Sequence, residues 1–323
     1  MRHDSITFCI TCMNRKIHVQ ETLEKNILDN NKKLSKFLLL DYNSSDGLDE
    51  IIQRKFANHI HSGKLVYYRT NTPKYYSMAH SRNLAFKLCE SNIICNLDAD
   101  NFTGKDFDQF ILDTFENFNN IFLSPIGGKS TIDCLGRLCV RKKDFISIRG
   151  FNEQLANYGY DDYDIVNRLL KKKLRRVAIP DNYLRAITHD NTLRNKNMTT
   201  YNHLHSVFVL KQTQNSFWAA YLFKDNTAKL GKFFVNKSFR YCLEEDWIEY
   251  CWKYDNNDFY LTKLGEEIKL HYKIEKKSIL LQLTMLFDQI NNLIQIRRTS
   301  VQSSVFGNGI VYKNFISEKI IIL

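Results

Sequence analysis

The first half of the chain predicts an α/β fold in which helices flank a mostly parallel sheet. Four short apolar segments have the character of buried strands, and they cover residues 6–11, 37–40, 64–69 and 93–97. Segments with a helical spacing of apolar residues lie between them, at residues 19–28, 48–56 and 78–89. Apolar strands that alternate with helices are typical of βαβ units, whose parallel strands are covered on both faces.

Polar loops follow three of these strands, after Thr11, Leu40 and Leu97. The carboxyl ends of parallel strands meet at one edge of a sheet, where ligands of such folds bind. The third loop carries Asp98 and Asp100, whose i, i+2 spacing lets both side chains point the same way at a strand end. Convergent carboxylates need neutralisation, and Mg²⁺ and Mn²⁺ prefer such oxygen ligands. The pair is a candidate metal site, with a solvated, capped turn as the alternative.

The second half of the chain changes in character twice. Residues 123–151 contain glycine turns and short strands, and a helix and a strand are predicted at residues 162–172 and 176–179. Beyond about Tyr201, aromatic residues and long helical stretches predominate. We therefore predict one domain at residues 1–205, with a first half to about residue 104 and a second half at about 105–205. A mainly helical C-terminal extension is predicted at residues 206–323.

An apolar stripe with helical spacing runs through this extension from Ile279 to Ile294. It is flanked by Lys276-Lys277 and by Arg297-Arg298. A basic-flanked amphipathic helix can lie on an anionic membrane surface. Such a stripe more often packs on its own domain or on a partner subunit. We expect packing, with peripheral membrane contact as the alternative.

The composition favours anionic partners, because 46 basic residues face 35 acidic ones and the formal net charge is +11. Nucleic acid is not an expected partner, since most Tyr and Phe residues lie inside apolar segments. No segment approaches the roughly 20 apolar residues that span a bilayer, and the N-terminus is too short and polar for a secretory signal. The eight cysteines lack metal-finger spacing. We expect reduced cysteines and a cytoplasmic location, either free or at the periphery of the inner membrane face.

Five short segments resemble, in their order, motifs of the GT-A glycosyltransferases. They are residues 8–15, 40–47, 79–85, 98–100 and 150–168. The likeness covers about residues 6–197, is closest to the family-2 group, and in its second half is similar to the β-1,4-galactosyltransferase group. It implies a Rossmann-like GT-A domain that moves a hexose or N-acetylhexosamine, with inversion, from a nucleotide sugar that is usually UDP-linked. The implied acceptor is a hydroxyl of a glycan or lipid-linked glycan, as in bacterial capsule or lipopolysaccharide.

The resemblance also implies a metal site at the carboxylate pair. Asp100 would be the direct ligand, and Asp98 would contact the ribose or support the metal. His189 lies 89 residues after Asp100, just past a predicted strand, where a histidine completes the metal site in similar enzymes. Imidazole suits Mn²⁺ better than Mg²⁺, so the expected cofactor is Mn²⁺, with Mg²⁺ as the alternative. A lone histidine more often serves as a surface or packing residue.

The catalytic base is expected among Asp161, Asp162 and Asp164. Acidic residues also favour the first turn of a helix, which is the structural alternative. The resemblance places the catalytic carboxylate at Asp162, and Asp161 stands where the family has a Glu that contacts sugar or acceptor. Tyr160 replaces a second glycine and Tyr163 replaces an acid. Both departures bear on the identity of the acceptor more than on the reaction.

The donor is expected to contact residues of the earlier motifs. Thr11, Asn14, Arg15 and Asp41 are candidates for the nucleotide pocket, and Asp41 could accept from uracil or ribose. Arg82 would neutralise the diphosphate or contact the donor sugar, with a salt bridge on a helix surface as the alternative. Thr11 and Met13 stand where the galactosyltransferase-like group often has Pro and Arg.

Two other functions compete with this interpretation. A sugar nucleotidyltransferase would use a similar sheet and acidic pair, but it usually carries a glycine-rich phosphate loop after the first strand. Residues 11–15 contain no glycine. A basic module that binds nucleic acid without catalysis would need aromatic and basic residues patterned on one exposed face.

Overall fold

The computed structural model describes residues 4–127, 133–188, 191–213, 215–236, 241–298 and 305–322. These residues divide into two compact units. The first unit comprises residues 1–156, 160–189 and 296–323, and the second comprises residues 157–159 and 190–295.

The main sheet of the first unit follows the predicted pattern of strands and helices. The strands of the first unit that precede the second unit are β1 (Ile6–Cys12), β2 (Ser35–Tyr42), β3 (Leu65–Thr70), β4 (Ile93–Asn96), β5 (Asn101–Phe102), β6 (Ile121–Ser124), β7 (Cys139–Arg141), β8 (Arg175–Ala178) and β9 (Arg185–Ala186). Of these, β5 and β9 form a separate two-stranded sheet. The helices of the first unit are α1 (Lys16–Asp29), α2 (Leu48–Lys55), α3 (Ala57–His61), α4 (Met78–Leu88), α5 (Phe107–Asn117), α6 (Lys142–Ser147) and α7 (Asp161–Lys171). The predicted helices and strands of residues 6–97 and 162–179 are confirmed, mostly to within one or two residues.

The sheet is parallel in its centre and mixed at its sides. Strands β1, β2, β3 and β4 pair in parallel, in the order β3-β2-β1-β4, whereas β7 is antiparallel to β4 and to β6. Alternate residues of β1 enter separate cores, because Phe8 and Ile10 face one side and Cys9 faces the other. Apolar cores on both faces explain why these strands appear in the sequence as continuous apolar runs.

A C-terminal hairpin extends this sheet and was not predicted. Strands β18 (Gly309–Lys313) and β19 (Lys319–Ile322) pair with each other, and β18 pairs antiparallel with β3. Phe315, in the turn of this hairpin, stacks on Tyr67 with ring centroids 4.7 Å apart. The final residues of the chain are therefore part of the first unit.

The second unit is mainly a β-sheet, so the prediction of a mainly helical extension is wrong. Its strands are β10 (Leu204–Gln212), β11 (Ser216–Phe223), β12 (Thr227–Val235), β13 (Tyr241–Leu243), β14 (Ile248–Asp255), β15 (Asp258–Lys263), β16 (Glu266–Leu270) and β17 (Tyr272–Lys273). Its helices are α8 (Asn191–Asn195), α9 (Thr199–His203) and α10 (Lys277–Arg298). All pairings are antiparallel, and β16 and β17 occupy the two ends of the main path of the sheet.

Both faces of this sheet are apolar, which explains the error. Along β11, Ala220 and Leu222 belong to one core and Ala219 and Tyr221 to the other. An unbroken apolar run hides the two-residue period, so a strand cannot be told from a buried helix by periodicity alone.

Helix α10 confirms the predicted apolar stripe and packs within the second unit. Phe287 and Ile290 are buried against residues of the sheet, and Leu283, Leu286 and Ile294 pack beside them. The Phe287 ring lies 4.9 Å from that of Tyr221. In the stretches that the structure describes, no helix combines the length and apolarity needed to cross a bilayer.

Candidate active site

A buried arginine connects three carboxylates at the carboxyl edge of the main sheet. The Arg82 side chain is only 4% exposed. Its Nη1 donates to Asp161 at 2.5 Å and to Asp162 at 2.9 Å, and its Nη2 donates to Asp98 at 3.1 Å. The loop after β4 and the first turn of α7 therefore meet at one guanidinium.

Helix α4 brings Arg82 to this position. The helix is capped by Ser77, whose side chain accepts from the His80 amide. The next residue after Arg82, Asn83, is fully buried and bonds the backbone of Phe151 twice, through its Oδ1 and its Nδ2. A Cβ on Gly150 would lie 2.4 Å from Asn83 Oδ1, so only glycine permits this approach. The segments 79–85 and 150–153 are thus held together.

Asn96 bonds Asp98 directly, and Gly136 leaves the space that Asp98 and Arg82 occupy; neither residue was predicted from the sequence as part of the site. Asn96 Nδ2 donates to Asp98 Oδ1 at 3.1 Å and to the Gly136 carbonyl at 2.9 Å. A Cβ on Gly136 would meet Arg82 Nη2 at 2.7 Å and Asp98 Oδ2 at 2.9 Å. Asn96 precedes Asp98 and Asp100 at the same two-residue spacing, so the sequence could have indicated that its side chain lies beside theirs. The residues around Gly136 give no indication that it leaves space for Asp98.

Asp161 and Asp162, at the start of α7, have pKa values raised above those of ordinary surface carboxylates. Desolvation raises the pKa of Asp161 against the opposing effect of Arg82. Desolvation and then the charge of Asp161 raise the pKa of Asp162 to about 7, although about a third of the Asp162 side chain (32%) remains exposed. Burial alone would lower the pKa of Arg82, but Asp162, Asp98 and Asp161 together raise it well above its ordinary value. The guanidinium stays charged, and Asp162 is the more exposed of the two acids.

The third acid of this turn has a different partner. Asp164 Oδ2 accepts from Arg168 Nε at 2.8 Å, an i, i+4 pair within α7. Arg168 Nη1 also donates to the carbonyls of Ile148 and Gly150. Asp164 therefore stabilises the helix and its contact with the preceding segment.

The departure at Tyr160 has a conformational meaning. Tyr160 immediately precedes α7 and has φ +68°, and Gly159 before it has φ +100°. The left-handed region favours glycine, and similar enzymes have a glycine at the position of Tyr160. The Tyr160 ring lies edge-on to the Tyr163 ring, with centroids 6.1 Å apart.

Asp100 lies beside a short strand pair that continues toward the predicted histidine. Its Oδ1 accepts from Asn101 Nδ2 at 2.9 Å, and Asn101 pairs with Ala186 across β5 and β9. The Ile187 amide donates to the Asp100 carbonyl at 2.8 Å. His189 lies outside the described residues. Within the described ranges, no three His, Cys, Asp or Glu side chains are grouped as for a metal ion.

The loops after β1 and β2 are joined, as the convergence of strand ends predicts. Asn14 has φ +56°. Its side-chain Oδ1 accepts from the backbone amide of Ser45 at 2.8 Å, and its backbone amide donates to Ser44 Oγ. Thr11 is buried, with its Oγ1 2.9 Å from Tyr76 OH, and Tyr76 is another residue that the sequence analysis missed. Arg15 is partly exposed and immediately precedes α1.

Asp41 lies in the interior and does not reach the surface of the loop. Its side chain has no exposed area. Its Oδ1 accepts from the Ser44 amide at 2.7 Å, its Oδ2 accepts from Tyr67 OH at 2.8 Å, and Arg69 lies 3.5 Å from Oδ2. Burial raises its pKa against these bonds. In this arrangement Asp41 fixes the loop at residues 41–47, and direct contact with a nucleotide stays a prediction.

Two protein-family models match adjoining parts of the chain. Residues 5–126 match a family described as "Glycosyltransferase like family 2", and residues 121–196 match one described as "N-terminal domain of galactosyltransferase". The resemblance stated from the sequence motifs is therefore confirmed, in the same order and over nearly the same residues. The sequences of curated proteins give no match.

Solved glycosyltransferase structures show a limited similarity. The mannosyltransferase PcManGT from Pyrobaculum calidifontis, in complex with GDP-Man and Mn²⁺, is 16% identical with a TM-score of 0.47, and the match covers 56% of each chain. S. aureus TarS 1-349 in complex with UDP-GlcNAc is 14% identical with a TM-score of 0.44, over 56% of this chain and 57% of that one. The chain thus matches little more than half the length of these proteins, and the similarity is too low to indicate an activity.

Proposed function

We propose that the chain is an inverting, metal-dependent transferase of the GT-A type, because two glycosyltransferase family models match its adjoining residues 5–126 and 121–196. It would move a hexose or N-acetylhexosamine from a nucleotide sugar, most simply a UDP-linked one, to a hydroxyl of a growing surface glycan. The observation that carries this proposal is the contact of Arg82 with Asp98 on one side and with Asp161 and Asp162 on the other. Donor-side and acceptor-side motifs meet at this single side chain.

The partial exposure of the Asp162 carboxylate supports the role of general base. The acceptor oxygen would form a bond to C1 of the sugar while the bond from C1 to the diphosphate breaks. The hydroxyl proton would pass to Asp162, and the electron pair would leave with the diphosphate. Asp161, beside it on the same guanidinium, would contact the sugar or acceptor. Arg82 would neutralise charge on the departing diphosphate or contact the donor sugar.

The donor set around β4 fits a hard divalent cation. Asp98 and Asp100 offer carboxylate oxygens at a partly exposed strand end, and any side chain at position 136 would fill the space beside Asp98 Oδ2. Asp100 would be the direct ligand, Asp98 the supporting one and His189 a further ligand. Chain continuity supports His189, because it follows by two residues the Ile187 amide that bonds Asp100. Bound Mn²⁺ or Mg²⁺ would neutralise charge on the departing diphosphate.

The remaining features concern the nucleotide and the acceptor. Thr11, Asn14 and Arg15 would contact the nucleotide, and Asp41 would hold the neighbouring loop in shape. The acceptor would be a glycan or lipid-linked glycan at the inner face of a bacterial membrane. The basic residues Lys276, Lys277, Arg297 and Arg298 are exposed at the ends of α10 and would contact an anionic surface.

A donor screen tests this proposal. Nucleotide sugars are tested for Mn²⁺-dependent thermal stabilisation of the protein and for slow release of the nucleoside diphosphate. We expect one UDP-sugar to do both, and Asp100→Ala to abolish the metal dependence. Nuclear magnetic resonance of the product then gives the anomeric configuration. Absence of both effects for all donors contradicts the proposal, and retention of the donor configuration contradicts the inverting mechanism.

A further inference from the structure

The segment at residues 305–313 packs on α4, the helix that carries Arg82. Both belong to the first unit. The Asn308 carbonyl accepts from His80 Nε2 at 2.8 Å, near the start of the helix. Asn308 Oδ1 accepts from Lys87 Nζ at 3.0 Å, near the end of the helix. The segment therefore bonds α4 at positions on both sides of Arg82.

The same segment touches the backbone of α4 at Gly307. A Cβ on this residue would lie 2.8 Å from the carbonyl carbon of Asn83 and 2.9 Å from its Cβ. With φ +58°, Gly307 also has a conformation that other residues rarely adopt. Phe306, just before it, is buried, and its ring lies edge-on to that of Phe145 with centroids 6.2 Å apart. An apolar anchor and a close backbone approach thus fix the segment against the middle of the helix.

The half-buried carboxylate of Glu153 joins this segment to the helix. Glu153 Oε1 accepts from the Gly307 amide at 2.6 Å and from Asn83 Nδ2 at 2.7 Å. Hydrogen bonds to a carboxylate are stronger than those between neutral groups. Asn83 is fully buried and bonds the Phe151 backbone twice. One carboxylate oxygen therefore connects the segment with α4 and with the chain around Phe151.

Phe151 supports the guanidinium of Arg82 from one side. The Arg82 Cζ lies 5.3 Å from the centroid of the Phe151 ring, which is fully buried. Positive charge over the face of an aromatic ring is favourable. The hydrogen bonds from Arg82 to three carboxylates need its planar fork in one orientation. The positions of α4 and of the ring decide that orientation, and Asn83 and Glu153 hold both.

We propose that Glu153 is a positioning residue for glycosyl transfer, because it joins Gly307 to α4 and so fixes the helix from which Arg82 reaches the site. This inference rests on the proposed function, in which Arg82 serves the departing diphosphate or the donor sugar. Glu153 itself touches no reacting atom. Without it the guanidinium samples orientations that do not meet the donor, although its charge stays nearby.

The chain allows a matched set of variants. Glu153→Gln keeps the length of the side chain and an oxygen acceptor, whereas Glu153→Asp keeps the charge but is one methylene too short to meet both donors. Glu153→Ala removes the acceptor altogether. Glu24→Ala is the control, since Glu24 lies 3.3 Å from His59. Glu24 belongs to α1, which packs on the face of the sheet opposite to α4.

The experiment compares these variants in the full chain by two measurements. They are steady-state release of UDP from UDP-hexoses and UDP-N-acetylhexosamines, and amide hydrogen exchange of residues 78–88 and 305–313. We expect Glu153→Ala and Glu153→Asp to lower kcat about ten- to a hundred-fold, because a misplacement of about 1 Å can cost a hundred-fold. Exchange in both ranges should quicken at least about ten-fold in Glu153→Ala. Glu153→Gln should restore kcat to within about three-fold of wild type, and Glu24→Ala should leave kcat and this exchange unchanged.

A double-mutant cycle with Arg82→Lys separates positioning from a general loss of stability. Lysine keeps the charge but lacks the planar fork that Glu153 is proposed to orient. Glu153→Ala should therefore cost less than about three-fold in kcat when Lys is at position 82. A structural role that does not act through Arg82 would give the same factor in both backgrounds.

Each outcome bears on a distinct part of the inference. Wild-type kcat in Glu153→Ala, equal losses in Glu153→Gln and Glu153→Ala, or equal factors in the two backgrounds overturn the positioning role alone. If Glu153→Ala does not fold, Glu153→Asp takes its place in the cycle, and wild-type kcat in that variant overturns the role. No UDP release by the wild type overturns the proposed function, and the positioning role with it.

Discussion

Asp162 Oδ1 lies 2.9 Å from Nη1 of Arg82, a buried arginine whose other terminal nitrogen contacts Asp98. Asp98 lies in the loop after β4 and Asp162 in the first turn of α7, far apart in the chain. The guanidinium between the two carboxylates offsets their mutual repulsion. A charged group shared in this way can hold the site together before any substrate binds. It also fixes the position of the partly exposed Asp162 carboxylate.

Replacing the proposed base should abolish transfer while leaving the fold intact. Asp162→Asn keeps the size of the side chain and removes the proton acceptor, so we expect kcat to fall by about 10²- to 10⁴-fold. The matched control is Asp164→Asn, which changes an acid of the same helical turn that pairs with Arg168 instead. Initial rates of UDP release with acceptor present measure both. Comparable losses in the two variants would refute the assignment of the base.

Removing the shared cation should destabilise the protein strongly. Arg82→Met leaves buried carboxylates without their partner, and we expect a loss of about 3–5 kcal/mol in the free energy of unfolding. Arg82→Lys keeps the charge but loses the planar fork, so its loss should be smaller. Urea unfolding at neutral pH measures both variants. Less than about 1 kcal/mol for Arg82→Met would show that the cluster contributes little to stability.

The pH dependence of the reaction should report the raised pKa of Asp162, which is about 7. A general base must be deprotonated, so kcat/KM should be low at pH 5, rise through pH 7 and reach a plateau above pH 8. A carboxyl with an ordinary pKa would give a flat profile over this range. The measurement is kcat/KM for the donor from pH 5 to 9 at fixed ionic strength. A flat profile from pH 6 to 8 would exclude Asp162 as the titrating base.

Asp288 in α10 should make stability depend on pH in the same range. Its side chain is 2% exposed, and desolvation raises its pKa to about 7. The unfolded chain releases this proton first, at about pH 4, so the carboxyl contributes most stability below that pH and the contribution is lost as pH rises toward 7. Asp288→Asn does not ionise and keeps an oxygen to accept from Thr200. Its Tm relative to wild type should therefore be higher at pH 8 than at pH 5, and an equal difference at both would contradict the shift.

His189→Ala tests the third proposed metal ligand. We expect the Mn²⁺ concentration for half-maximal stabilisation of the UDP-bound protein to rise at least about ten-fold, as the loss of groups in a metal site typically causes. His205→Ala is the control, since His205 lies in the second unit against Trp252. Thermal shift over a Mn²⁺ titration measures the effect. Unchanged metal dependence would remove His189 from the site.

The sequence by itself determined the local elements and the candidate groups of the first unit. Apolar strands with helices between them give a parallel sheet, and strand ends of a parallel sheet must meet at one edge. The pair Asp98 and Asp100 and the acidic turn at residues 161–164 were therefore visible as candidates. These inferences depend on periodicity and chain order, which are properties of neighbouring residues.

Only the tertiary structure decided which of these groups meet. Arg82 is 16 residues from Asp98 and 80 from Asp162, and no local pattern shows that one guanidinium contacts both. The same holds for Asp164, which pairs within its helix, and for Asp41, which is buried. In the second unit the prediction of helices was wrong for a related reason. Strands that are apolar on both faces have no two-residue alternation of apolar and polar residues that would distinguish them from buried helices. Local structure follows from spacing along the chain, whereas a site follows from contacts across it.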